Sequence, residues 1–118
     1  TAAGPVNTEE FYRQEFTVFN PAGTVGVSCN GRGLVSALML EPEALTDDEV
    51  LAEEIVAIAR LARAKYRMEL RLFSLRSIEA QGLNPDRMDR FYRGVQKLPT
   101  PEEFDDMQAA EFAKRYPQ

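Results

Sequence analysis

The sequence predicts an α+β fold: a three-stranded antiparallel β-meander, then a long α-helix and two short C-terminal helices. Three observations carry this. Apolar residues alternate at period two between Glu15 and Leu40, with turn residues at 20–23 and 30–31. No Gly or Pro then interrupts the chain from Thr46 to Gln81. Beyond Gly82, two shorter segments with helical apolar spacing each open near a proline, Pro85 and Pro101.

Residues 1–10 show no periodicity, and residues 1–14 read as a mobile lead-in to a single domain spanning 15–118. Glu15 to Asn20 places Phe16 and Val18 on one side and Thr17 and Phe19 on the other, a short strand. Asn20-Pro21-Ala22-Gly23 puts Pro where its fixed φ suits a turn. Thr24 to Cys29 turns Val25, Val27 and Cys29 inward, and Asn30-Gly31 predicts a type I′ hairpin into a third strand, Gly33 to Leu40.

Thr46 and Glu49 have capping-box spacing at the start of the long helix, and Gly82 stops it. Some 36 helical residues at about 1.5 Å each outrun three short strands, so part of the rod needs another partner. Leu51, Ile55, Ile58 and Ala62 form a stripe expected to face the sheet. Leu61, Met68, Leu72 and Leu75 continue on a rotated stripe expected to meet a twin helix or the C-terminal helices, which makes Leu61, Met68 and Leu72 the expected homodimer interface. In the next helix Met88, Phe91, Tyr92 and Val95 follow one face, expected to be buried. Leu98-Pro99-Thr100-Pro101 is a stiff connector; Thr100 and Glu103 have capping-box spacing before a final helix to Tyr116, whose apolar side is Phe104, Met107, Phe112 and Tyr116.

With 118 residues, 44% hydrophobic and 28% charged, the chain folds as one domain without staples. The absence of His removes imidazole catalysis and His-metal sites, and the single Cys29, inside an apolar stretch, reads as a small buried hydrophobe. Adjacent carboxylates such as Asp47-Asp48, Glu53-Glu54 and Asp105-Asp106 diverge by about 100° on a helix and cannot share a proton. Gly31-Arg32-Gly33 is too short for a phosphate loop. No catalytic residue, metal site or cofactor is expected, and the protein reads as non-enzymatic. With no apolar run of 18 residues and no signal-peptide pattern, the expectation is a cytoplasmic protein without a membrane span, or one co-secreted with a partner.

The net charge of −5 is unevenly distributed. Residues 41–59 carry seven acids and no base, whereas residues 60–97 carry ten bases against four acids. Arg60, Arg63, Arg67 and Arg71 share one helix face. That stripe is a solvated or acid-paired face, a contact for an acidic protein, or a nucleic-acid contact. The acidic remainder of the chain argues for weak nucleic-acid binding at physiological salt.

The stretch from Thr24 to Lys65, with Val-x-Val, Asn30-Gly31, Leu40-Glu41-Pro42 and the helix start Leu51-Ala52-Glu53-Glu54-Ile55-Val56, resembles the YbaB/EbfC nucleoid-associated family. A closer resemblance is to the Esp-type (EspD/EspH-like) accessory family of mycobacterial type VII (ESX) secretion systems. It is carried by Phe16-Thr17-Val18 with Asn20-Pro21, Thr24-Val25-Gly26-Val27-Ser28, the helix from Leu51 to Lys65, Leu98-Pro99-Thr100-Pro101-Glu102-Glu103, and Phe112-Ala113-x-Arg115-Tyr116. The resemblance implies a YbaB-like homodimer serving as chaperone or adaptor for a secreted partner; the alternative is a nucleoid-type DNA binder. Tyr12, Tyr66 and Tyr92 are followed four residues on by Phe16, Leu70 and Gln96, not by an acid, so the chain lacks the export mark of a typical substrate. Phe91, Phe104 and Phe112, in the C-terminal region, either hold a helical partner or close the protein's own core.

Overall fold

The computed structural model of the protein describes residues 7–117. Its elements run α1 (Thr8–Arg13), β1 (Glu15–Phe19), β2 (Val25–Asn30), β3 (Val35–Leu40), a 3-10 turn (Pro42–Ala44), α2 (Asp48–Ala80), α3 (Pro85–Gly94) and α4 (Pro101–Arg115). The sheet is an antiparallel meander in the order β1-β2-β3, as the alternation predicted.

Pairing of Phe16 with Cys29 and Val18 with Val27 sets one face of the sheet, and Phe16, Val18, Val25, Val27 and Cys29 are all buried on it. The helix α2 lies across this face over β1 and β2, through Ile58, Leu61, Ala62, Ala64 and Met68. Ala62 lets the backbone approach closely, while Ile58, 0% exposed, fills the centre; Ala64, about 200° round the helix from Ala62, belongs to the same core from its other side. Phe104 of α4 completes this core. On the opposite face the ring of Phe19 lies over Gly26, its cross-strand partner, where any Cβ would collide with it. The molecule is 53 Å long, close to the ~50 Å expected of a 33-residue helix.

Four local expectations are corrected. Within the segment read as an irregular lead-in, residues 8–13 form α1, capped by the Asn7 side chain accepting from the Glu9 and Glu10 amides; residues 1–6 lie outside the described residues. Phe11 is buried, stacked on Phe73 with centroids 4.5 Å apart and tilted against Phe16 at 5.5 Å. The 30–33 hairpin is not type I′, since only Gly33 has positive φ. The Asn30 carbonyl accepts from Gly33 N–H and its side chain from Arg32 and Leu34 N–H, a three-residue loop ending in a left-handed glycine. Gly31 serves another purpose: α1 crosses it so closely that a Cβ would strike the Phe11 carbonyl and the Tyr12 Cα. The cap of α2 is Asp47, accepting from Val50 N–H at 3.0 Å, and not Thr46. The fourth correction concerns α3, whose Met88, Phe91 and Val95 are exposed, not buried.

The capping box at Thr100 and Glu103 is present with both reciprocal bonds, at 2.9 and 3.1 Å. Those bonds to Thr100 hold the Glu103 carboxyl below its ordinary value. The end of α4 is tied back to the sheet through Glu54, which accepts from Tyr116 Oη at 2.5 Å and Asn20 Nδ2 at 2.9 Å. Burial, reinforced by Glu54, raises the Tyr116 phenol well above its usual range.

Candidate functional site

Cys29 is buried and desolvation raises its thiol, so it carries little thiolate. Among the described residues no cluster of three His, Cys, Asp or Glu side chains could hold a metal, and no helix is long and apolar enough to cross a membrane.

The predicted sites divide sharply. Leu61, 2% exposed, and Met68 lie in the chain's own core, so they cannot form the outward dimer seam expected of them. Leu72 is half-buried and lines a cleft of about 550 Å³ between α2 and α3 with Leu75, Pro85 and Asp89. Phe104 is buried and Phe112 packs against the core, edge-on to Tyr116; of the three partner-binding candidates only Phe91 faces solvent. The arginine stripe is also broken up. Arg60 and Arg63 point outward, but Arg67 donates through Nη2 to the Gln96 carbonyl at 2.6 Å. Arg71 is committed to Asp89 by two bonds, Nε to Oδ1 at 2.7 Å and Nη2 to Oδ2 at 2.8 Å. Tyr66, the one aromatic beside the stripe, belongs to the cluster around Phe11 and Phe16.

Among the described residues two apolar faces stand uncovered along whole elements, and each has a structural cause. The first is β3. Directly paired residues share a face, so Leu40, Leu38 and Val35 lie on the same side as Val25, Val27 and Cys29. An extra residue opposite Ser28 and Cys29 keeps both Val35 and Leu38 on that side. Because α2 covers β1 and β2 only, Val35 is 61% and Leu38 48% exposed. Among the described residues no strand pairs with the outer edge of β3. The strand also carries no charge and no proline to guard that edge. The sequence held a signal for this: residues 34–40 are apolar at every position but Ser36, the pattern of a strand buried on both faces.

The second face is α3, an amphipathic helix turned polar side in. Asp89 and Tyr92 face α2, anchored by the Arg71 pair, and Leu98 beyond the helix is buried with its N–H on the Tyr92 carbonyl at 2.9 Å. That closing turn puts Lys97 at φ 56, a left-handed position usually given to glycine. Held this way, α3 points Met88, Phe91 and Val95 outward in one stripe, at spacings of three and four residues. Hydrogen bonds from Arg71, before the charges of Arg71 and Arg93, hold the Asp89 carboxyl below its ordinary value.

No family model, no curated protein and no solved structure matches this chain.

Proposed function

We propose that the protein is a non-enzymatic, homodimeric adaptor, serving as an accessory or chaperone for a secreted partner in type VII (ESX) secretion. The observation that carries the binding role is the unguarded β3 face. An edge strand with free backbone groups and exposed Val35, Leu38 and Leu40 is a template that native proteins cover, and a second copy of the same strand covers it symmetrically, antiparallel, with both backbones satisfied. On this reading the dimer seam lies on β3, and Leu61 and Met68 serve the protein's own core. The secretion role rests on the residue resemblance between Phe16 and Tyr116. Against the nucleoid alternative stands the engagement of Arg67 and Arg71 within the protein, which leaves Arg60 and Arg63 alone on the stripe for phosphate.

Deleting the gene in its host and following type VII export tests this reading. Loss of one substrate from the medium, with its cellular level also reduced, is the expected result. Unchanged export overturns the secretion role, and sub-micromolar binding of duplex DNA at about 150 mM salt overturns it in favour of the nucleoid reading, since non-specific binders reach only about 10⁻⁴–10⁻⁶ M there.

A further inference from the structure

We propose that Asn30 is a deamidation site guarded by α1: while α1 is docked the amide persists, and each opening of α1 exposes Asn30-Gly31 to conversion into Asp and isoAsp. The site lies outside the adaptor reading and is independent of it. Gly31 has no side chain to shield its nitrogen, which makes Asn-Gly the least hindered pair for imide closure. In that step the Gly31 nitrogen attacks Asn30 Cγ, the N–Cγ bond forms, and ammonia leaves, taking up the proton that the Gly31 amide gives up. Water then opens the ring. Attack at Cγ gives Asp, and attack at the Asn30 backbone carbonyl gives isoAsp, whose main chain is longer by one methylene.

Ring closure needs Asn30 and Gly31 free to rotate, and the docked loop prevents it. Asn30 Oδ1 accepts from Arg32 N–H at 2.9 Å and Leu34 N–H at 3.1 Å, which fixes the carboxamide. The main chain is pinned as well: Asn30 N–H donates to the Leu34 carbonyl at 2.8 Å, the Asn30 carbonyl accepts from Gly33 N–H at 3.0 Å, and Asn30 is in register with Glu15 of β1. Gly31 itself is buried, and α1 crosses it without room for a Cβ against the Phe11 carbonyl and the Tyr12 Cα. Bringing the Gly31 nitrogen onto Cγ displaces Gly31 beneath that crossing, so α1 has to lift first. The guard is weakly held. With six residues α1 is too short to be stable alone, so its docking depends on side-chain anchors. These are Phe11, packed on Phe73, Phe16 and Tyr66, and the Tyr12 ring, with the Arg32 guanidinium 4.3 Å from its centroid. The isoAsp product, one methylene longer under the same crossing, then holds α1 off.

The test incubates the full chain in mildly alkaline buffer beside a synthetic peptide of residues 26–35. Conversion is read by mass spectrometry of the segment holding residue 30 and by enzymatic methylation of isoaspartate. The wild type is expected to deamidate at least about tenfold more slowly than the peptide, in proportion to the fraction of time α1 is open. Phe11→Ala removes the buried anchor and is expected to bring the rate to within about threefold of the peptide, with circular dichroism showing the sheet and α2 still folded. Tyr12→Ala removes only a half-exposed ring and is expected to give an intermediate rate; it decides the matter if Phe11→Ala does not fold. Chain carrying isoAsp is expected to exchange the amides of α1 faster than unmodified chain. A folded wild type that deamidates as fast as the peptide overturns the proposal, as do folded Phe11→Ala and Tyr12→Ala variants no faster than the wild type. Leu38→Lys, in β3 away from α1, is expected to leave the rate unchanged whether or not it alters the oligomeric state. An acceleration by Leu38→Lys equal to that of Phe11→Ala would assign the protection to the β3 interface and overturn the role of α1.

Discussion

The two halves of α2 are held by different physics. Its N-terminal half lies on β1 and β2, where Ile58, Leu61 and Ala62 interdigitate with Val18, Val25, Val27 and Cys29 in a core without charge. Its C-terminal half keeps apolar contacts, Met68 in the core and Tyr66 and Phe73 against Phe11, and is fastened in addition at Arg67 and Arg71 by directional polar bonds to the turn after α3 and to α3 itself. Apolar burial is tolerant of orientation; a two-pronged Arg–carboxylate pair fixes it. The contrast explains how one continuous helix serves as core at one end and as a bracket at the other, with the bracket presenting an apolar stripe to solvent.

Breaking the core half gives the largest expected effect. Ile58→Ala removes a fully buried side chain at the centre of the sheet contact and should cost about 4 kcal/mol, read as a shift in the urea midpoint with unchanged slope. Breaking the bracket costs less globally but more locally. Asp89→Asn leaves the buried Arg71 guanidinium without its countercharge, a loss of about 3 kcal/mol, with faster amide exchange confined to α3 and the adjoining end of α2. The same bond carries a pH signature. Because the folded Asp89 carboxyl lies below its unfolded value of about 3.9, its contribution is complete above about pH 5 and is lost as pH falls through the folded value, so α3 should loosen before the core does. Lys97→Gly works in the other direction: relieving a left-handed Lys should stabilise the protein by about 1 kcal/mol, measured by thermal unfolding, while leaving the orientation of α3 intact.

What the sequence disclosed follows the same division. Alternation of Phe16 with Val18 and of Val25, Val27 and Cys29 fixes a strand face because the side-chain period is two, and an uninterrupted run to Gly82 fixes a helix because nothing breaks it. The core burial of Ile58 and the capping box at Thr100 were legible for the same local reasons. Which amphipathic face is covered is a tertiary fact. Phe91 and Phe104 sit in helices of similar pattern, yet one is solvent-facing and the other buried, because Arg71 pulls Asp89 inward. Leu61 and Met68 looked surplus to the sheet only because the reach of α2 over β1 and β2 is set by packing. The helix α1 has six residues and one buried apolar anchor, Phe11, too little for periodicity to register. Its Asn7 cap with Glu10 three residues on was the available signal. Gly31 looked like turn chemistry and answers instead to the approach of α1.

The central claim is that the exposed β3 face belongs to an interface between two copies, and light scattering at micromolar concentration on the wild type and on Leu38→Lys tests it most directly. Twice the 13.3 kDa chain mass for the wild type, and the single mass for a Leu38→Lys variant with unchanged helical content, is the predicted result. A wild type at 13.3 kDa, or a dimer that Leu38→Lys leaves intact, would contradict it.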